Sequence, residues 1–339
     1  MFCLSEYGIL ILERMTFMKV GIIGTGDISH EFIDAAKHVK QLQVIGVTQR
    51  NLEKAQFFAD QYQLEIATDN LGDLLQSVDI IYCGLPNSLH YEIAKQVITQ
   101  KKHIIIEKPI TSNTKELKHL IELSKEHDVL IFEASRVSTL PHFKLIEELL
   151  EDEQDEIFIN INFCKQSRKY FAYLAGQNPN TFTTKYSGGA LYDLGVYGVH
   201  FAVALLGKPQ QIHFSAYKLN TGTDGFSSLI LEYPKGLVTI NSSKMTHGDS
   251  NFTIQGLKKK IVSHFSVSTI DSFEVIENHE TSTINNQNQE NMVYYLEELY
   301  RIISTQDIKT YEKQLSNSLI VQEILEAARK QVGIVFKND

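Results

Sequence analysis

Residues 103–109, HIIIEKP, form an apolar run that ends on a carboxylate, an ammonium and a proline. Open α/β sheets hold their ligands just beyond the carboxyl ends of their strands. Glu107 and Lys108 therefore stand where a reacting group would be met, with Pro109 as a rigid turn behind them; the plainer alternative is a solvated strand-to-loop transition. A second cluster, Gly24-x-Gly26-x-x-Ser29 in GIIGTGDIS, joins a strand to a helix. Its first glycine permits a tight turn, its second lets the backbone approach a pyrophosphate, and the helix start offers positive potential to the phosphates. Ser29 is small enough for close helix packing, and Asp27 and Ile28 open the helix beside it. In this strand-turn-helix context the cluster fits dinucleotide binding.

The next strand, LQVIGVTQR, ends in Thr48-Gln49-Arg50, and no Asp or Glu occurs between Asp34 and Glu53. A carboxylate at that strand end would accept bonds from the ribose hydroxyls of NAD, whereas a guanidinium pairs with the 2′-phosphate of NADP and stacks on adenine. NADP is therefore expected over NAD, with Arg50 as the main determinant; the alternative is that Arg50 only caps its loop.

The elements that must hold these residues alternate. MKVGIIGTG, LQVIGVTQR, DIIYCGLP, HIIIEKP and VLIFEAS read as strands, and ISHEFIDAAKHV, NLEKAQFFADQY, LHYEIAKQVITQ and NTKELKHLIELSKEH as helices between them. Crossovers of this length give a parallel, doubly wound Rossmann sheet. After Arg136 a helix from near Pro141 runs into the acidic EDEQDE, expected as a solvated loop. IFININ, QIHFSAYKL, SSLILEY, GLVTINSS and FTIQG then follow as closely spaced strands, interrupted by the helical ALYDLGVYGVHFAVALLG. Such spacing predicts a mostly antiparallel sheet in an α+β domain. NHETSTINNQNQEN reads as an exposed loop before two closing helices, VYYLEELYRIIS and LSNSLIVQEILEAARKQ. The expected divisions are an extension over 1–17, a dinucleotide-binding domain over 18–136, and an α+β domain over 137–339.

Composition narrows the partners. With 339 residues the chain exceeds a single ordinary core. A net charge of -9 and no clustered Lys/Arg stripe argue against nucleic acid and leave a small-molecule ligand. No run reaches the ~20 apolar residues of a membrane span, and YGILIL near the amino end is short and flanked by charges, unlike a signal peptide. Cys3, Cys83 and Cys164 lack disulfide or zinc spacing, and the 12 histidines show no ligand pattern. No metal is expected, and the thiols are expected to be reduced in the cytoplasm.

GTGDIS, LPNSLH, EKP and GGALYDLGVYGVH occur in that order. Together they resemble the Gfo/Idh/MocA oxidoreductase family, which includes glucose–fructose oxidoreductase, inositol dehydrogenases and dimeric dihydrodiol dehydrogenases. The resemblance covers nearly the whole chain from Met18, with EKP its most specific element. It implies a Rossmann domain joined to a large open sheet, and a homodimer or tetramer through that sheet. Carried over by position, it implies that Leu85, Pro86, Asn87 and His90 line the nicotinamide side of the cofactor. Glu107 and Lys108 would lie beside the nicotinamide, with Lys108 directed at the reacting hydroxyl or carbonyl and Lys108–Pro109 open to a cis bond. Asp193 and Tyr197 are four apart and share a helical face; Asp193 equally suits a helix's first turn, and Tyr197 a core position. Many relatives carry histidine where this chain has Tyr197, so the tyrosine points to the glucose–fructose oxidoreductase and dihydrodiol dehydrogenase branches and away from inositol dehydrogenases.

The implied reaction moves a hydride between a carbinol carbon and NADP or NAD. Tyr197 would act as general acid/base in the field of Lys108, because an ammonium favours a phenolate, and Asp193 would orient substrate or Lys108. The alternative gives Lys108 the proton transfer. Lys165, Arg168 and Tyr170 in KQSRKYFAYLAGQNPNTF are candidate substrate contacts. A dinucleotide-sensing regulator is the competing class, and the presence of both Lys108 and Tyr197 favours the enzyme.

Overall fold

A computed structural model describes residues 17–151, 153 and 155–339. The expected amino-terminal extension, apart from Phe17, and Cys3 lie outside the described residues. The first domain alternates β1 (Met18–Ile23), α1 (Asp27–Ala36), β2 (Leu42–Thr48), α2 (Leu52–Tyr62), β3 (Ile66–Thr68), α3 (Leu71–Leu75), β4 (Ile80–Cys83), α4 (His90–Thr99), β5 (His103–Ile106), α5 (Thr114–Glu126) and β6 (Ile131–Glu133). All six strands are parallel, in the order β3-β2-β1-β4-β5-β6. The order reverses beside β1, and that switch point is where an open sheet of this kind leaves a crevice. β4 is buried along its whole length and β5 over Ile104–Ile106, as a sheet covered on both faces requires. α1 turns Phe32, Ile33, Ala35 and Ala36 inward, and Phe32 stacks on Tyr82 of β4 with ring centroids 3.9 Å apart. Asn51 and Asn113 accept from the backbone N–H of Lys54 and Glu116 and so fix the starts of α2 and α5.

The second domain runs α6 (Pro141–Leu150), β7 (Ile157–Cys164), α7 (Tyr170–Leu174), α8 (Val196–Leu206), β8 (Gln211–Lys218), β9 (Asp224–Tyr233), β10 (Gly236–Ser243), β11 (Ser250–Gln255), β12 (Lys259–Ser263), β13 (Phe273–Glu277), β14 (Glu280–Ile284), α9 (Asn291–Thr305) and α10 (Ile308–Gln331). Its eight strands lie in the order β14-β13-β12-β11-β7-β10-β9-β8, antiparallel except for β7 against β10. Ile159, Ile161, Val238 and Ile240 point to one buried face, against Val199, Phe201 and Val203 of α8 and Leu325 of α10. The apolar α8 is thus a core helix.

Several expectations need correction. β3 and α3 were not foreseen, because a three-residue edge strand carries no readable period. NHETSTINNQNQEN is not all loop: it contains β14, whose Glu280–Thr283 are exposed on both faces and so show no apolar alternation. Nor is EDEQDE wholly solvated, since Glu153 is buried and its carboxylate accepts the backbone N–H groups of Lys258 (3.1 Å) and Lys259 (3.0 Å). The closing helices are longer than expected, and α9 packs on the first domain: Met292, Val293, Leu296, Leu299 and Ile302 share a core with Phe32, Ala36 and Tyr82.

Candidate active site

The turn after β1 is built for close approach. Gly24 has φ +97°, and its N–H donates to Thr48 O at 3.0 Å. A Cβ on Gly24 would meet Gly84 O at 3.1 Å, so a side chain there is excluded by both backbone and neighbour. Above Gly26 a Cβ would meet nothing within 4 Å, which leaves open space at the start of α1. No side chain caps that helix, whose first N–H groups lack intrahelical partners. Ser29 is buried against Gly84, a contact that only a glycine at 84 permits; the role of Gly84 was not foreseen. Asp27 is exposed in the first turn and Ile28 half-buried. Thr48 is buried at the end of β2, Gln49 accepts from Asn51 N–H, and Arg50 is exposed with no hydrogen bond or ion pair to any described residue. The residues fit a dinucleotide: an unobstructed helix start for the pyrophosphate and an unengaged guanidinium beyond β2.

The carboxyl ends of β4 and β5 form the floor. Leu85 and Pro86 are partly exposed, and Asn87 donates to Ser187 O of the second domain at 2.9 Å. His90 does not reach the cleft as expected. Its ring is buried, with Nε2 2.8 Å from Leu85 O and Nδ1 3.0 Å from Pro109 O, so it ties the two floor loops together. Burial pushes its pKa down. Glu107 is likewise turned inward, accepting the Tyr82 hydroxyl at 2.9 Å and the Lys108 N–H at 3.3 Å. Burial raises its pKa, partly offset by Arg136 and Lys108.

Lys108 follows, with a cis bond to Pro109. Its ammonium donates to Asp193 O at 2.9 Å, stands 3.4 Å from Asp193 Oδ1 and lies 4.6 Å from the centre of the Tyr197 ring. Asp193 sits in a π-helical turn, Leu191–Gly195, that leads into α8 and Tyr197. The two side chains expected on one face thus converge on one ammonium. The turn is fixed by Asp224, which accepts Leu191 N–H at 2.7 Å. The Tyr197 hydroxyl hydrogen-bonds no described residue.

Electrostatics separate the roles. Burial opposes charge on Lys108, but Tyr197, Asp193 and Glu107 outweigh it and hold the ammonium above the ordinary lysine range. Burial likewise raises Asp193, yet Lys244 and Lys108 more than reverse this and keep its carboxyl below the usual range. Lys244, directly after β10, is buried and pairs with Asp193 Oδ2. Arg136, just after β6, bonds Glu31 of α1 at 3.2 Å, and the fields of Tyr197, Glu107 and Glu31 keep it charged despite burial. Neither Lys244 nor Arg136 was singled out in the sequence. Both are single cations just past strand ends, the same signal that marks Lys108.

The candidate substrate contacts divide. Lys165 is exposed at the end of β7, and Arg168 reaches across to Asp27 at 3.4 Å with both side chains almost fully exposed. Tyr170 is half-buried, stacked on Tyr173 and tilted against Phe182. Cys83 is buried and its thiol pushed up to about 12 by burial. No group of three or more potential metal ligands occurs among the described residues.

Residues 18–135 match the sequence profile of the oxidoreductase family with an NAD-binding Rossmann fold, GFO/IDH/MocA, and residues 158–262 match the GFO/IDH/MocA C-terminal domain. The chain is 31% identical to the scyllo-inositol 2-dehydrogenase (NADP(+)) IolU of Bacillus subtilis (strain 168), over 95% of this chain and 99% of that one. It is 26% identical to the trans-1,2-dihydrobenzene-1,2-diol dehydrogenase of Danio rerio, over 95% and 99%. Among solved structures, the 3-ketoreductase KijD10 from Actinomadura kijaniata, in complex with NADP and TDP-benzene, superimposes with a TM-score of 0.79 at 18% identity, covering 93% of this chain and 97% of that one.

Proposed function

The chain belongs to the Gfo/Idh/MocA family of NAD(P)-binding oxidoreductases, and on that premise we propose that it exchanges a hydride between NADP and a carbinol or carbonyl carbon of a sugar, cyclic polyol or related diol. The observation that carries this reading is the convergence of Asp193 and Tyr197 on the Lys108 ammonium at the carboxyl end of β5. When bound, the cofactor gives or takes the hydride at its nicotinamide. Lys108 faces the substrate oxygen and stabilises the negative charge that develops there. Because the surrounding anions hold Lys108 charged, it is a poor proton carrier near neutral pH. The proton therefore passes between the substrate oxygen and the unengaged hydroxyl of Tyr197. In the oxidative direction the substrate O–H proton passes to the phenolate form of Tyr197, and in the reductive direction the Tyr197 hydroxyl gives it back. Asp193 orients Lys108 through its carbonyl and Oδ1.

Selection of NADP rests on Arg50, whose guanidinium is uncommitted at the end of β2 and suits a 2′-phosphate. The tyrosine at 197 and the similarity to dihydrodiol dehydrogenases make cyclic trans-diols a second substrate class. We also infer self-association through the outer face of the large sheet, where Phe158, Phe226 and Tyr217 remain solvent-exposed.

The test is to supply NADP+ with a panel that includes scyllo-inositol, other cyclic polyols and cyclic trans-diols, and to follow reduced nicotinamide. Turnover of a panel member is expected. Tight cofactor binding without turnover across the panel would favour a dinucleotide sensor instead.

A further inference from the structure

We propose that Lys244 is a positioning residue of this site: its buried ammonium grips one carboxylate oxygen of Asp193 and so leaves the other oxygen, with the Asp193 carbonyl, to orient Lys108. The proposal rests on the hydride-transfer reading above and adds to it a residue outside the Lys108–Asp193–Tyr197 group.

Lys244 is the residue that β10 delivers to the cleft. Its N–H donates to Gly225 O at 3.0 Å, and its carbonyl accepts Ser167 N–H at 2.9 Å, so its backbone is pinned between β9 and the loop carrying Lys165 and Arg168. The side chain is 3% exposed. Its Nζ meets Asp193 Oδ2, its one hydrogen-bond acceptor among the described residues, and the ring centre of Phe182 lies 5.3 Å away. A buried ammonium is retained only where a counter-charge and a hydrogen bond offset its lost hydration. Here Asp193 supplies both, although it is shared.

Sharing has a chemical consequence. Lys108 stands 3.4 Å from Oδ1 while Lys244 holds Oδ2. With Oδ2 released, the Asp193 carboxylate is free to turn towards its remaining cation, Lys108. Without Lys244, Asp193 would draw Lys108 towards a closer pair and away from the face of Tyr197, where the substrate oxygen must sit. Lys244 thus keeps Asp193 ionised and engaged elsewhere, so that Lys108 remains available to substrate. The charged and titratable groups around this pair are Lys108 from the β5 end, Tyr197 from α8, and Asp224 from β9, which lies in the field of Lys244.

The experiment compares Lys244→Met, Lys244→Gln and Lys244→Arg with wild type, each checked for folding by thermal melting. On a panel member that wild type turns over, Lys244→Met should lower kcat by about tenfold or more while KM for NADP+ changes little. The acid limb of the kcat–pH profile should move to higher pH. Lys244→Arg should restore most of both, with Lys244→Gln between. A second readout is independent of turnover: the Asp193 carboxyl, followed by carbon-13 NMR in the cofactor-free protein and assigned with Asp193→Asn, should titrate at higher pH in Lys244→Met or Lys244→Gln. If wild type turns over nothing, the hydride-transfer reading fails, while this titration still decides the pairing. Unchanged kcat and pH profile in a folded Lys244→Met, or an unmoved Asp193 titration, would overturn the proposal. So would a loss of kcat that Lys244→Arg does not restore.

Discussion

At the scale of single residues, function turns on which group stays charged. Lys108 is held charged by its neighbours despite burial, and on the proposed reading it stabilises charge on the substrate oxygen while Tyr197 transfers the proton. Tyr197→Phe should therefore lower kcat by about 10²–10⁴-fold, the usual range for removing a general acid or base, with NADPH affinity nearly unchanged; rates from a stopped assay check this, and unchanged turnover would assign the proton to Lys108. Arg50→Ala should weaken NADPH binding by about tenfold or more, as expected for losing a charge-assisted contact to a phosphate, and leave NADH binding unaltered. Fluorescence titration of both cofactors measures it. Lys108 and the glycine turn were legible in the sequence because their neighbours in the chain supply the context. Lys244 was not, since its partner Asp193 is 51 residues away and only the folded sheet brings them together. Motif position places His90 beside the cofactor, whereas the fold buries its ring between Leu85 O and Pro109 O, a burial no motif encodes.

At the scale of elements, β5 must be held in register for Lys108 to emerge at the right height. His103 opens that strand and accepts Leu130 N–H through Nδ1 at 2.9 Å, which requires the neutral ring. Burial lowers its pKa below the ordinary 6.5. The unfolded chain therefore takes up this proton first as pH falls, and the stability His103 contributes is present above about 6.5 and lost below it. His103→Asn keeps an acceptor without titrating. The difference in melting temperature between wild type and His103→Asn should shrink between pH 7.5 and 5.5, and a constant difference would exclude this role. The long alternation of strands and helices was readable because buried parallel strands are continuous apolar runs. The three-residue β3 and the exposed β14, both at sheet edges, left no such trace.

At the scale of the whole molecule, the two sheets are joined by more than the chain connecting them. α9 returns to the first domain's core, and the hydroxyls of Ser112 and Ser187 meet at 2.6 Å beside the cleft. Leu296→Ala, buried where α9 meets that core, should cost about 2–5 kcal/mol and lower a single unfolding transition in urea; two separate transitions would show that the sheets unfold independently. Self-association through the outer sheet face predicts that Phe226→Glu shifts sedimentation towards the monomer without loss of turnover per chain. On the proposed reading, the lysine at the end of β5 serves the reacting oxygen. The most direct test of this role is kcat of Lys108→Met beside wild type, with NADPH affinity measured on the same samples. A fall of about 10³-fold or more in kcat with affinity nearly unchanged is the expected result; a folded Lys108→Met enzyme that turns over like wild type would contradict it.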